Sequence, residues 1–157
     1  MRYEMRRKDR EISREEALAV VDRAPYGVLS TVDSDGAPYG VPLSFAREGE
    51  DLYFHCAPEG HKIDNLRAGD RVCVSFVGSA EFPEDHFTVV YESALVFGAP
   101  REVLSDEEKI RGLRAVSLRF TPKNMHAFRA ETDKMLGRTG VWKIHIEKIS
   151  GKRRKRP

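Results

Sequence analysis

The segment YFHCAPEGHKIDNL, residues 53–66, holds His55, Cys56, His61 and Lys62 together in a chain with five histidines and two cysteines. Three chemistries use such residues: metal ligation, an anion cradle, and plain strand-to-helix packing. Metal ligation fails on geometry. His55 and Cys56 are adjacent on an expected strand, so they point to opposite faces. Neither an HExxH helix nor a paired CxxC is present, and no metal site is expected. The packing reading makes Cys56 a core thiol beside Phe54 and His55 a partly exposed strand residue. It leaves His86 in a loop and His126 and His145 at the surface of a helix and a strand.

The cradle reading is specific to PEGHK, residues 58–62. Pro58 and Gly60 shape a turn after a strand, which puts His61 and Lys62 in the first turn of a helix. Free amides and the positive end of the helix dipole point outward there. A lysine is intrinsically unfavourable at that position, so a partner anion explains it better than helix stability does. A solvated lysine is the alternative. A micromolar ligand needs about 8 kcal/mol. The dipole contributes about 0.3–1 kcal/mol and a part-exposed lysine–phosphate pair about 1–3 kcal/mol. The rest must come from burying a flat, largely apolar group. A phosphate-bearing aromatic cofactor meets that need; inorganic phosphate alone would bind weakly.

The elements that must position this segment are legible from periodicity and punctuation. Ser13 and Glu16 form a capping-box pattern before the apolar stripe Ala17, Leu18, Val21, and Pro25 stops that helix. Strands follow at 26–32 and 37–45, joined by a turn in which Gly36 takes positive φ. Pro38 and Pro42 confine the second strand to places where an amide need not join the ladder. Residues 47–51 turn the chain. Residues 52–57 alternate, with Leu52, Phe54 and Cys56 on one face and Tyr53, His55 and Ala57 on the other. A short helix over 60–70 carries Ile63 and Leu66, with Gly69 as a left-handed cap. Strands over 71–78 and 87–104 follow, the latter bent at Gly98-Ala99-Pro100. Ser105 with Glu108 opens a helix ending before Pro122, and a further helix runs to about Leu136. A last strand, 141–149, puts Trp142, Ile144 and Ile146 on one face. About six strands with short antiparallel connections favour a closed or nearly closed barrel over a doubly wound parallel sheet.

The chain's 157 residues suit one domain. Hydrophobic residues make up 40% and charged residues 33%, as in soluble globular proteins. No apolar run approaches the roughly 20 residues of a membrane span, and the charged first thirteen residues lack a secretory core. A cytoplasmic protein follows. Cys56 and Cys73 read as buried free thiols. The net charge of +2 is too small to imply a nucleic-acid partner. We divide the chain into a domain over 1–151 and a solvated basic tail over 152–157, where Lys152–Arg156 are five consecutive cations.

Five segments, in this order and spacing, resemble one family: MRRKDREIS (5–13), YGVLSTVDSDGAPYGVPLSF (26–45), LYFHCAPEGHKIDNLR (52–67), YESALVFGAPREVLSDEEK (91–109) and IEKISGKR (146–153). The chain looks like the flavin-nucleotide-binding split barrels of the pyridoxamine 5′-phosphate oxidase-like superfamily, and most closely its nitroimidazole-resistance branch. The resemblance implies a mainly antiparallel split β-barrel with helices, and a homodimer holding flavin mononucleotide (FMN) at the subunit interface. It implies backbone contacts from Val41, Pro42, Leu43 and Ser44 to the ring's polar rim. His55 and Ala57 would line the ribityl chain or phosphate, His61 and Lys62 would hold the phosphate, and Trp142 would pack near the ring. The dense Arg and Ser cluster that true pyridoxamine phosphate oxidases use on their substrate is missing, which counts against vitamin B6 chemistry.

The expected activity is an FMN-dependent oxidoreductase. It would pass electrons from reduced nicotinamide or a similar small donor to a small acceptor such as a nitroaromatic. No catalytic triad is needed, because the cofactor carries the chemistry. His55 is the candidate proton donor. The alternative is a non-catalytic module that binds or senses flavin or heme, with His55 or His61 as an axial ligand.

Overall fold

The computed structural model describes residues 4–156. The outermost parts of the expected domain and tail, residues 1–3 and 157, lie outside the described residues. Two short strands, β1 (Glu11–Ile12) and β4 (Ala46–Glu48), join six longer ones: β2 (Gly27–Val32), β3 (Pro38–Leu43), β5 (Asp51–Cys56), β6 (Val72–Glu81), β7 (Val90–Glu102) and β8 (Gly140–Arg154). Four helices are inserted: α1 (Arg14–Arg23), α2 (His61–Ala68), α3 (Asp106–Phe120) and α4 (Phe128–Met135). All strand pairings are antiparallel, in the order β3-β2-β6-β7-β8-β5-β4, with β1 on β8. β3 and β4 are the two free ends, so the sheet curls into a split barrel and does not close. The six expected strands are all present; β4 falls in what the sequence reads as a turn, and at three residues it is too short to show a period.

Curling depends on β7 and β8, the longest strands. Their register shifts between Phe97 and Gly98, where the sequence predicts a bend. A Cβ on Gly98 would lie 1.8 Å from the His145 carbonyl oxygen, so only glycine admits this approach. Below the bulge, Gly140–His145 of β8 also pairs with β5. Above it, the ladder runs on to Tyr91↔Arg154. Lys152, Arg153 and Arg154 are therefore strand residues, not a solvated tail. Arg153 finds carboxylates there: its Nε donates to Glu92 at 2.8 Å and its Nη1 to Glu16 at 2.5 Å. The composition of the run suggested solvation because pairing along a curled strand is invisible in a charge count.

The main core fills the curl. Leu29, Phe45, Phe54, Phe76, Val74 and Val96 are fully buried, with Phe45 edge-on to Phe54 and Phe76. α1 plugs one end with Ala17, Val20 and Val21. Its capping box is complete, as the sequence indicates. A second, smaller core lies on the other face of β5, where Tyr53 packs with Val103, Val116 and Val141 beneath α3. β5 is thus buried on both faces over 52–54. Ser105 caps α3 through the Glu108 amide, but the Glu108 carboxylate does not return the bond. It takes hydrogen bonds from Tyr53 Oη (3.1 Å) and Lys143 Nζ (2.6 Å), pinning α3 to β5 and β8. Arg119, at the far end of α3, donates to the carbonyls of Phe45, Val21 and Ala24. Desolvation lowers its pKa, and it ties α3 to the end of α1. No helix among the described residues is long and apolar enough to cross a membrane.

Gly98→Ala should destabilise the protein by about 3 kcal/mol or more, since the added methyl meets backbone that cannot swing aside. Urea unfolding checks this; a loss below about 1 kcal/mol would show that the bulge does not need glycine.

Candidate functional site

β3 is an edge strand containing two prolines, and its pairing with β2 is complete over Pro38–Leu43. A proline cannot donate, so Pro38 and Pro42 occupy the non-hydrogen-bonded pairs opposite Val32 and Val28. The alternation then commits the backbone groups of Tyr39, Val41 and Leu43 to β2. Those of Pro38, Gly40 and Pro42 face the open edge. Of the four expected ring contacts, Val41 is turned inward and packs on the main core. Pro42, Leu43 and Ser44 line a cavity of about 320 Å³ together with Tyr26 and His55.

His55 lies beyond the doubly covered part of β5. It is exposed at the residue level, yet desolvation by neighbouring protein lowers its pKa below the ordinary value of 6.5. It also lines a second cavity of about 320 Å³ walled by α3, α4 and the turn between them. Cys56, on the opposite face, is a half-buried free thiol, and so is Cys73. Burial pushes the Cys56 pKa up, with the Lys62 charge opposing; burial also raises that of Cys73. Ala57 is exposed and lines neither cavity.

α2 begins where the sequence indicates. Gly60 takes φ 119°, a region that favours glycine, and its carbonyl accepts from the amides of Ile63 (2.7 Å) and Asp64 (3.2 Å). The amides of His61 and Lys62 are left at the open first turn. Buried Ile63 and Leu66 fasten α2 to the core, and buried Asn65 donates to Thr31 Oγ1 at 3.0 Å, tying it to β2. Its far end differs from expectation: Gly69 is extended at φ −96°, not left-handed. The chain can enter β6 directly in that conformation.

His61 is not free. Its Nε2 lies 2.9 Å from Asp33 Oδ2, and its ring sits against Tyr39 with centroids 4.3 Å apart. The other carboxylate oxygen of Asp33 is buried without a partner among the described residues. This pair fixes the imidazole and offsets any positive charge on it. Lys62 is half-buried and forms no ion pair among the described residues. The electrostatic pull at the helix start therefore comes from Lys62 and the dipole more than from His61.

Trp142 is placed differently from its implied role. It is 3% exposed, packed in the main core opposite Phe54, with its indole Nε1 unpaired. The alternation of β8 that put it with Ile144 and Ile146 was the correct guide: that face is core. Two features escape sequence reading. Tyr26, before β2, reaches the β3 cavity from a position that looks like strand lead-in. The α3–α4 wall needs the tertiary docking of α3 on Tyr53. Among the described residues, no three His, Cys, Asp or Glu side chains gather to hold a metal ion.

The family model for pyridoxamine 5′-phosphate oxidase matches residues 13–153. No curated protein matches the chain. Solved structures do. A candidate 5-nitroimidazole antibiotic resistance protein from Bacteroides thetaiotaomicron is 25% identical, over 90% of this chain and 85% of its own, with a TM-score of 0.76. The FAD and heme binding protein from Mycobacterium smegmatis is 27% identical, over 92% and 72%, with a TM-score of 0.78. The flavocytochrome Anf3 from Azotobacter vinelandii shares the fold at a TM-score of 0.83, covering 99% and 74% at 20% identity.

His55 should titrate below 6.5, and the sign of its effect on stability follows. Well above pH 6.5 it is neutral folded and unfolded and exerts no pH effect. As pH falls from 6.5 toward its lowered value the unfolded chain takes the proton first, so stability drops. Urea unfolding between pH 7.5 and 5 should show that drop, and His55→Gln should flatten it. An imidazole NMR titration with a midpoint at or above 6.5 contradicts the desolvated placement.

Proposed function

Because the chain belongs to the pyridoxamine 5′-phosphate oxidase family, we propose that it is a flavin-dependent oxidoreductase whose cofactor is FMN. The observation that carries the reading is the Tyr39–His61 contact, which joins the open edge of β3 to the first turn of α2. One flat molecule with a phosphate tail can lie along both. The residues fit such a group. Lys62 has no competing carboxylate among the described residues, two amides face outward, and Gly60 has nothing within 4 Å of where a Cβ would stand. The anion would be held by Lys62 and the amides of His61 and Lys62. Asp33 keeps His61 oriented and Tyr39 shields its ring. Ser44 and the Pro42 carbonyl would meet the polar edge of such a group, and Leu43 and Tyr26, which line the same cavity, would exclude water from it.

When bound, the flavin supplies two-electron chemistry, from reduced nicotinamide or a similar donor to a small acceptor such as a nitroaromatic compound. His55 stands on the wall shared by both cavities. Its imidazole is largely neutral near pH 7, so it would first take up a proton from solvent and then, as imidazolium, pass that proton to an acceptor there. In this reading a second copy of the chain completes the site, and the homodimer is taken as cytoplasmic. The outer face of β2, β6 and β7 suits it. Val28, Ser75 and Leu95 form one row of that face, and Val32 and Val77 are exposed at 59% and 52%.

One observation favours the runner-up, a non-catalytic flavin or heme sensor. His55 shares its α3–α4 cavity with Met125 and Met135, and His and Met are both heme-iron ligands. The visible spectrum of the purified protein separates the two: flavin bands that bleach on anaerobic mixing with reduced nicotinamide support the enzyme, and a Soret band supports the sensor.

The phosphate cradle has its own test. Lys62→Ala should raise the Kd for FMN roughly tenfold, with thermal unfolding unchanged. Riboflavin, which lacks the phosphate, should bind both proteins alike. Equal FMN affinity in the variant would remove the phosphate from α2.

A further inference from the structure

The α3–α4 cavity is chemically distinct from the β3 edge. At about 320 Å³ it falls at the lower end of small-molecule sites, roughly 300–1,000 Å³. Met125, Phe128 and Met135 give it apolar walls, and Ser117, Asn124 and Glu131 bring polar side chains to the same space. Two of the other hydroxyls there are already used: Thr121 Oγ1 donates to the Ser117 carbonyl at 3.1 Å and Thr139 Oγ1 to that of Met135 at 3.0 Å. Ser117 Oγ, the Asn124 side-chain amide and the Glu131 carboxylate have no hydrogen-bond or ion partner among the described residues, the last two being open to solvent. On α4 the neighbouring cation, Arg129, turns to Asp133 instead. Unspent polar groups converging on an apolar hollow are what a specific small-molecule site presents.

The charge in that wall narrows the ligand. Glu131 is its one carboxylate and no lysine or arginine lines it. An anion would meet like charge with nothing to offset it. Sulfur and aromatic walls suit a flat ring, since thioether–aromatic contacts are favourable. We propose that this cavity is a binding site for small planar aromatic molecules that are uncharged or cationic, with Ser117 and Asn124 hydrogen-bonding their polar edge and Glu131 rejecting anions. The site stands without the flavin. Because His55 lines both cavities, it is also the place of the electron acceptor, and that last assignment rests on the proposed function.

Three planar probes of one shape test it: benzamide, benzamidine as its cation, and benzoate. Titrated calorimetrically, benzamide and benzamidine should bind, with benzoate at least about tenfold weaker. Ser117→Phe, which fills the hollow, should abolish binding of all three. Glu131→Gln changes an exposed residue and leaves folding untouched; it should narrow the gap between benzamidine and benzoate about fivefold. Absence of benzamide and benzamidine binding to the unaltered protein overturns the proposal. So does benzoate binding as well as benzamidine, or a gap that Glu131→Gln leaves unchanged. Circular dichroism shows whether Ser117→Phe has folded; if it has not, the Glu131→Gln result decides. A parallel FMN titration keeps the readings apart. FMN binding without probe binding sinks this proposal alone, and probe binding without FMN binding leaves it standing while the proposed function falls.

Discussion

The approach of the Gly98 backbone to the His145 carbonyl is the constraint on which the rest of the molecule turns. Two strands of 13 and 15 residues cannot stay straight in a chain of this size. The bulge at Gly98 lets β8 bend, pairing with β5 at one end and β1 at the other while holding β7 throughout. That bend makes an inside, which the aromatic cluster of Phe45, Phe54 and Phe76 fills. It also leaves β3 as a free edge. The free edge exists because the curl does not close, and its prolines keep it from pairing with another strand.

β5 translates that architecture into sites. Its central residues face two cores, so Phe54 anchors the barrel while Tyr53 anchors α3 through Glu108 and Lys143. One residue later the α3-side covering ends, and His55 emerges between the β3 edge and the α3–α4 pair. A residue at such a seam is desolvated without being buried, which is why its pKa falls although its surface is open. The two cavities are neighbours because one strand supplies the wall of each.

Electrostatics assigns roles that composition cannot. Both histidines of the opening segment carry the same formal chemistry. His61 is held by Asp33 and lies tilted against Tyr39, whereas His55 faces cavity space. Lys62 gains importance from what is not beside it. Near the C-terminus Arg153 is shared between Glu92 and Glu16 and becomes part of the fold.

The amino-acid order by itself determined the local elements: the capping box at Ser13, the six principal strands, the bend at Gly98 and the helix start after Gly60. Each is set by neighbours within a few positions, through caps, alternation or the backbone freedom of glycine. The family was legible too, because its motifs are runs of sequence. Only the tertiary structure decided that β4 exists, that Gly69 is extended and that Lys152–Arg154 are strand. It alone revealed the α3–α4 hollow, whose walls come from residues 55 to 139. These are questions of which distant segment lies opposite, and a periodic pattern says which face a side chain takes without saying what that face will meet.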